Sequence, residues 1–119
     1  MNFDIMINRS DSQGHTLRID KEDLDAFVAA DPELSWASYT NSHAEDGLRQ
    51  SSFKIAWKGN PCVEGDGYTV WCDEVPEALA VKMVHLADAI GAPAMYGSSR
   101  LEVRKGFFGK EKIVEIEQG

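Results

Sequence analysis

Apolar and polar side chains alternate with a period of two residues in several segments, and this alternation constrains the fold more than any other feature. Residues 3–7 and 53–57 show it most clearly, and the period is typical of strands with one buried face. Residues 68–72 are more continuously apolar and also indicate a strand. Further strands are expected at 17–19, 34–41, 94–96, 101–103 and 114–116.

Two segments have helical signals instead. Asp20 is suited to cap a helix over residues 21–30, and Pro32 ends it because the residue before a proline avoids helical angles. A second, stronger helix is expected over residues 76–90, with Gly91 as its C-terminal cap. Strands therefore outnumber helices and do not alternate regularly with them, which predicts an α+β fold with two helices packed on an antiparallel or mixed sheet.

The connections refine this expectation. Gly59-Asn60-Pro61 breaks the strand at 53–57, and the polar segment 41–50 is interpreted as a loop. Turn-forming residues at 64–67 predict that the strands at 53–57 and 68–72 form an antiparallel pair. With 119 residues, of which 43% are hydrophobic, the chain is expected to be a single domain over residues 1–119.

The charge balance limits the classes of partner. The chain has 20 acidic and 12 basic side chains, a net charge of -8, which argues against nucleic acid and against anionic membranes as ligands. It permits fast encounter with a basic protein. Because no secretory signal or membrane-spanning stretch is apparent, and Cys62 and Cys72 are too few for a disulfide scaffold, a cytoplasmic location is expected.

No motif for catalysis or for a metal is present in the sequence. It has no G-x-S-x-G elbow, phosphate-binding loop or calcium loop, and His15, His43 and His85 are scattered. We therefore expect that the protein is not an enzyme and that it binds no cofactor or metal. A site of dispersed residues that includes His85 or Cys72 is the alternative.

Acidic residues crowd the first predicted helix and its exit. The first 50 residues hold ten acidic and four basic side chains. This distribution indicates a patch that faces a cationic surface, although helix capping and solubility explain part of it. The candidate binding residues in this patch are Glu22, Asp25, Asp31 and Glu33.

Two further features suggest binding to a protein. In helix 76–90, Val81 and Val84 fall outside the main apolar stripe. They can form a second face that contacts a partner, or this face can be covered by another part of the same domain. Phe107 and Phe108 lie between two glycines and cannot both point to one face of a strand, so that one can fill the core while the other is exposed as a candidate interface anchor. A core-capping loop is the other interpretation of this segment.

The segment Lys82 to Ala92 has the pattern K-M-x-x-x-A-x-x-I-G-A and precedes a tight turn at Gly97-Ser98-Ser99. It resembles small bacterial proteins with such a helix, many of which are similar to immunity proteins encoded beside polymorphic or contact-dependent toxins. The resemblance implies a protein that neutralises a cognate toxin by direct binding, and it implies no catalytic residues. An adaptor subunit of a larger assembly remains an alternative.

Overall fold

The computed structural model describes residues 1–43 and 49–117, and it describes side chains for 1–41 and 51–117. The described residues form nine strands and two α-helices. The elements, in chain order, are β1 (Asn2–Ser10), β2 (Thr16–Leu17), α1 (Lys21–Ala30), β3 (Leu34–His43), β4 (Arg49–Trp57), β5 (Asn60–Gly65), β6 (Thr69–Pro76), α2 (Glu77–Ala89), β7 (Ala94–Tyr96), β8 (Ser99–Lys105) and β9 (Glu111–Glu117), with a short 3-10 turn at Phe107–Gly109.

The strands form one antiparallel sheet in the order β3-β4-β5-β6-β1-β7-β8-β9, and β2 pairs with the end of β1. Strand β1 lies inside the sheet, between β6 and β7, while β3 and β9 are at its edges. The predicted α+β class is confirmed.

Both helices pack on the same face of this sheet. In β1 the side chains of Phe3, Ile5 and Ile7 are buried while their neighbours are exposed, as the alternation predicts. The α1 residues Leu24 and Val28 belong to the same core. Helix α2 adds Leu79, Ala80, Met83, Val84, Leu86 and Ala87 to it. The opposite face of the sheet is covered by neither helix.

The sequence predicts both helices well. Helix α1 has the predicted bounds, and the backbone N–H of Asp20 donates a hydrogen bond to Asp23 at 2.8 Å. Helix α2 begins at Glu77, so that Pro76 caps it instead of lying in its first turn. No helix within residues 1–43 and 49–117 is long and apolar enough to cross a membrane.

The predicted direct pairing of the strands at 53–57 and 68–72 is wrong, because β5 lies between them and pairs with both. A two-residue turn precedes β5, with Lys58 and Gly59 at φ values of 52° and 81°, the type of turn that suits the twist of a hairpin. The proline that follows sits at an irregularity of the β4–β5 pairing, a position that strands tolerate.

The predicted loop 41–50 is also too long. Strand β3 continues to His43 and β4 begins at Arg49, and the rest of that loop lies outside the described residues.

Candidate functional site

The uncovered face of the sheet carries an apolar patch at its centre. The Met6 side chain is 51% exposed, and Trp71 and Met95 on either side of it are half-buried. Met6 is paired directly with both residues, so that the three side chains share one face. We call these three residues the Trp–Met patch; it forms the floor of a shallow cavity of about 420 Å³.

Charged residues lie on both sides of this patch. The paired residues across the sheet are, in order, Lys54, Glu64, Trp71, Met6, Met95 and Arg100. Within this row Lys54 and Glu64 are 3.5 Å apart and form an exposed ion pair.

Three carboxylates lie where β1 meets β6, and two of them border the same cavity. A bulge places Asp73 and Glu74 opposite Asp4, and Glu74 adopts a positive φ of 52°. The backbone N–H of Glu74 donates a hydrogen bond to Asp4 Oδ1 at 2.7 Å. Asp4 and Asp73 line the cavity. We call Asp4, Asp73 and Glu74 the acidic rim; in the described part of the chain none of them forms an ion pair with a basic side chain.

A second groove, of about 560 Å³, lies on the helix side between the end of α1 and α2. Phe27, Pro32 and Val81 are among its apolar lining residues, and Lys82 and His85 are among its polar ones. Two of the predicted binding residues, Asp31 and Val81, therefore meet here.

The basic residue Lys82 compensates the acidic residues at this groove. Its ammonium group pairs with the carboxylate of Asp31 and lies 3.1 Å from Glu33 Oε1. The hydrogen bond from Lys82 lowers the pKa of both carboxyl groups. Burial alone lowers the pKa of Lys82, but its hydrogen bonds to the two carboxylates outweigh burial and raise it. Asp31 and Glu33 are thus engaged within the fold.

The other predicted acidic residues lie on α1. Asp25 is paired with Lys21 at 2.6 Å, and the same ammonium group lies 4.9 Å from the centre of the Trp36 ring. Glu22 is exposed. The helix therefore presents fewer uncompensated charges than its sequence suggests.

The predicted exposure of Val84 on a partner-binding face is wrong. Val81 is half-buried and lines the helix-side groove, but Val84 is only 3% exposed and belongs to the core. The apolar stripe of α2 is wider than the four residues predicted for it, because the helix contacts β6, β1, β7, β8 and β9 as well as α1. Val84 therefore cannot contact a partner in the folded protein.

Phe107 and Phe108 are both on the surface, at the tip of the β8–β9 hairpin. Their exposed fractions are 93% and 105%. The core-capping interpretation of this segment is thus wrong, and both side chains are exposed where only one was expected to be.

Among the described side chains, no hydrogen bond joins Cys72 to a histidine, and the side chain of His43 lies outside the described residues. Cys72 is 1% exposed, and burial is the main reason why its pKa is raised to about 12. His85 lies on the outer side of α2 and is 2.6 Å from Glu111 of β9. His15 contacts Asp11 in the turn after β1. Among the described residues, no cluster of three or more His, Cys, Asp or Glu side chains could hold a metal ion.

The Trp–Met patch was not predicted from the sequence. Two signals in the sequence pointed to it. Met6 is an apolar residue at a position of β1 where the alternation predicts a polar, exposed one. Trp71 lies between the buried Val70 and Cys72 in β6 and therefore faces the other side of the sheet. Recognising that these two side chains meet requires the β1–β6 register, which the sequence does not provide.

No protein-family model, curated protein or solved structure matches the chain.

Proposed function

We propose that the chain is a non-enzymatic binding protein that docks a basic partner protein on the Trp–Met patch and its acidic rim. We further propose that it acts as an immunity protein and neutralises a cognate bacterial toxin by this direct contact. The observation that carries the proposal is the position of exposed apolar side chains beside three carboxylates that lack a basic partner in the described part of the chain.

The chemistry of the patch is that of a binding surface. Tryptophan and methionine are enriched at the centres of protein interfaces, and lysine and glutamate are depleted there. A tryptophan in a desolvated pocket is a frequent hot spot, whose truncation costs about 2 kcal/mol or more. Met6 lies between Trp71 and Met95, and the two methionines have flexible thioether side chains that adapt to the shape of a partner.

The charge of the rim selects the partner. Guanidinium and ammonium groups of a partner can form charge-assisted hydrogen bonds with Asp4, Asp73 and Glu74. The net charge of -8 accelerates the encounter with a cationic surface and makes its rate fall with salt. A toxin that acts on nucleic acid has such a surface, because it must bind phosphates.

The face is also large enough. Eight strands in the order given, about 4.8 Å apart, span about 34 Å. A standard interface buries about 800 Å² on each partner, which corresponds to a square of about 28 Å. A partner can therefore be accommodated on this face without displacing a helix.

The experiment uses the product of the reading frame adjacent to the gene. That product is expressed under an inducible promoter, and growth is measured with and without this chain. The proposal expects growth to stop on induction and to be restored by the wild-type chain. It also expects a complex with the adjacent product on gel filtration.

Variants then test the face itself. Asp73→Lys and Trp71→Ser should abolish rescue and weaken binding at least tenfold. Glu115→Lys is the matched charge control, because Glu115 is exposed and pairs with the buried Leu101, which places it on the other face of the sheet. Rescue that persists in Asp73→Lys and Trp71→Ser, or an adjacent product that is neither toxic nor bound, would contradict the proposal.

A further inference from the structure

The tip of the β8–β9 hairpin exposes two phenylalanines that contribute nothing to the core. The turn is closed by backbone hydrogen bonds: Gly106 N–H donates to the carbonyl of Lys110 at 2.8 Å, and Gly109 N–H donates to that of Gly106 at 3.2 Å. Phe108 has a φ of 69°, which is strained for a bulky side chain. Strain of this kind concentrates at functional sites, and here it accompanies complete exposure of the ring.

Basic side chains surround the two rings. Arg104 and Lys105 precede the tip, Lys110 and Lys112 follow it, and all four are exposed. The one acidic residue between positions 104 and 112 is Glu111, which is paired with His85. Four of the twelve basic side chains of the chain are therefore gathered at this tip, whose charge is opposite in sign to that of the whole protein.

This arrangement does not fit the basic partner proposed for the acidic rim, because like charges would meet. It fits an anionic surface with an apolar layer beneath it. Aromatic side chains enter the boundary between headgroups and acyl chains, while adjacent lysines and arginines contact lipid phosphates. A convex tip also suits a fluid surface, which needs no pocket of matching shape.

The net charge of -8 opposes such binding only weakly. Charges are screened over about 10 Å at 0.1 M salt. On the two strands of the hairpin, Glu102 is paired with Arg104 at 3.5 Å, and Glu115 and Glu117 lie three and five positions beyond Lys112, about 10 and 17 Å along the strand. The acidic residues of β6 are three strand positions away from β8, which corresponds to about 14 Å across the sheet. The local charge of the tip therefore dominates its interaction with a membrane surface.

We propose that Phe107 and Phe108 insert peripherally into the interface of an anionic phospholipid bilayer, and that Arg104, Lys105, Lys110 and Lys112 bind its headgroups. This membrane-binding tip is independent of the Trp–Met patch, so that either proposal can fail without the other.

The test is co-sedimentation of the full chain with vesicles at 0.1 M salt. One set of vesicles contains equal amounts of phosphatidylglycerol and phosphatidylcholine, and the other contains phosphatidylcholine alone. The protein should sediment with the anionic vesicles at least tenfold more strongly than with the neutral ones. Each basic side chain near the surface strengthens binding by about fivefold, so that raising the salt to 0.5 M should weaken it markedly.

Two double variants separate the contribution of the phenylalanines from that of the basic side chains, and circular dichroism checks that each variant is folded. Phe107→Ser with Phe108→Ser, and Lys105→Glu with Lys110→Glu, should each reduce the partition at least tenfold. Lys54→Glu with Lys58→Glu changes the net charge by the same amount as the second variant, but at exposed positions of β4 and the turn after it. This control should change the partition less than twofold.

The proposal is overturned if the wild-type chain does not sediment with the anionic vesicles. It is equally overturned if the two tip variants sediment as the wild type does, or if the protein sediments without vesicles, since it then associates with itself.

Discussion

Replacing Gly65 by alanine should destabilise the protein, because the ring of Phe53 occupies the space that a side chain needs. The two residues are paired directly across β4 and β5. A Cβ atom at Gly65 would lie 2.0 Å from Cζ of Phe53 and 2.4 and 2.6 Å from the two Cε atoms. Phe53 is fully buried and packs edge-on against Trp36 at 5.5 Å between ring centres. The ring therefore cannot move without disturbing its neighbours.

The expected loss follows from this geometry. Overpacking a well-filled core costs about 1–3 kcal/mol, and the contacts at Gly65 are short enough to place the variant at the upper end, at about 3 kcal/mol. For a chain of this length a loss of 1 kcal/mol lowers Tm by about 4 °C, so that Gly65→Ala should melt about 12 °C below the wild type. Urea unfolding followed by circular dichroism measures the free energy of unfolding directly.

Two further variants make this prediction specific. Gly106→Ala is the matched control, because a Cβ atom there meets only the Lys110 carbonyl oxygen at 3.7 Å, and its stability should change by less than about 0.5 kcal/mol. Phe53→Leu removes the clashing ring atoms and should recover part of the loss in the double variant with Gly65→Ala. A Gly65→Ala protein as stable as the wild type, or losses at the two positions that simply add, would refute the reasoning.

Three other predictions concern burial and charge. Val84→Ala should lower the free energy of unfolding by about 2 kcal/mol, since its methyl groups are in the core; a loss below about 0.5 kcal/mol would place it on the surface. Lys82→Met should cost about 1 kcal/mol at pH 7, after allowance for partial exposure of the pair with Asp31. Because the pKa of Asp31 is lowered from 3.8 in the folded state, this difference should be complete above about pH 5 and be lost as the pH falls through the lowered pKa of the folded state; a difference that persists in strong acid would contradict the assignment. Cys72, whose pKa is raised to about 12 by burial, should resist a thiol reagent at pH 8 until the protein unfolds, whereas the half-buried Cys62 is the thiol that can react in the native state.

The elements with strong local signals are those that the sequence predicts. Helix α1 is bounded by a capping aspartate and a proline, and the alternation in β1 identifies its buried face. Strand β5 was missed because its signals are contradictory: it contains a proline, and it ends in a glycine that is typical of turns. Gly65 is in a strand for a tertiary reason, since the ring of Phe53 lies over it.

The candidate site depends on long-range pairing and was therefore less predictable. Met6 and Trp71 are 65 positions apart in sequence and meet because β1 enters the sheet beside β6. The acidic cluster that the sequence emphasises is partly neutralised, because folding brings Lys82 to Asp31 from 51 positions away. The exposure of both phenylalanines was not predicted, because a loop that caps the core has the same local sequence signals. The placement of Val84 depended on how many elements α2 contacts.

Hydroxyl-radical footprinting of the free protein and of its complex with the adjacent gene product tests the proposed binding face most directly. Methionine and tryptophan side chains are readily oxidised, and exposed Met1, at 85%, and buried Met83, at 2%, serve as internal references. We expect Met6, Trp71 and Met95 to be protected in the complex while the oxidation of Met1 and Met83 is unchanged. Unchanged oxidation of Met6 and Trp71 in a stable complex would show that the partner binds elsewhere.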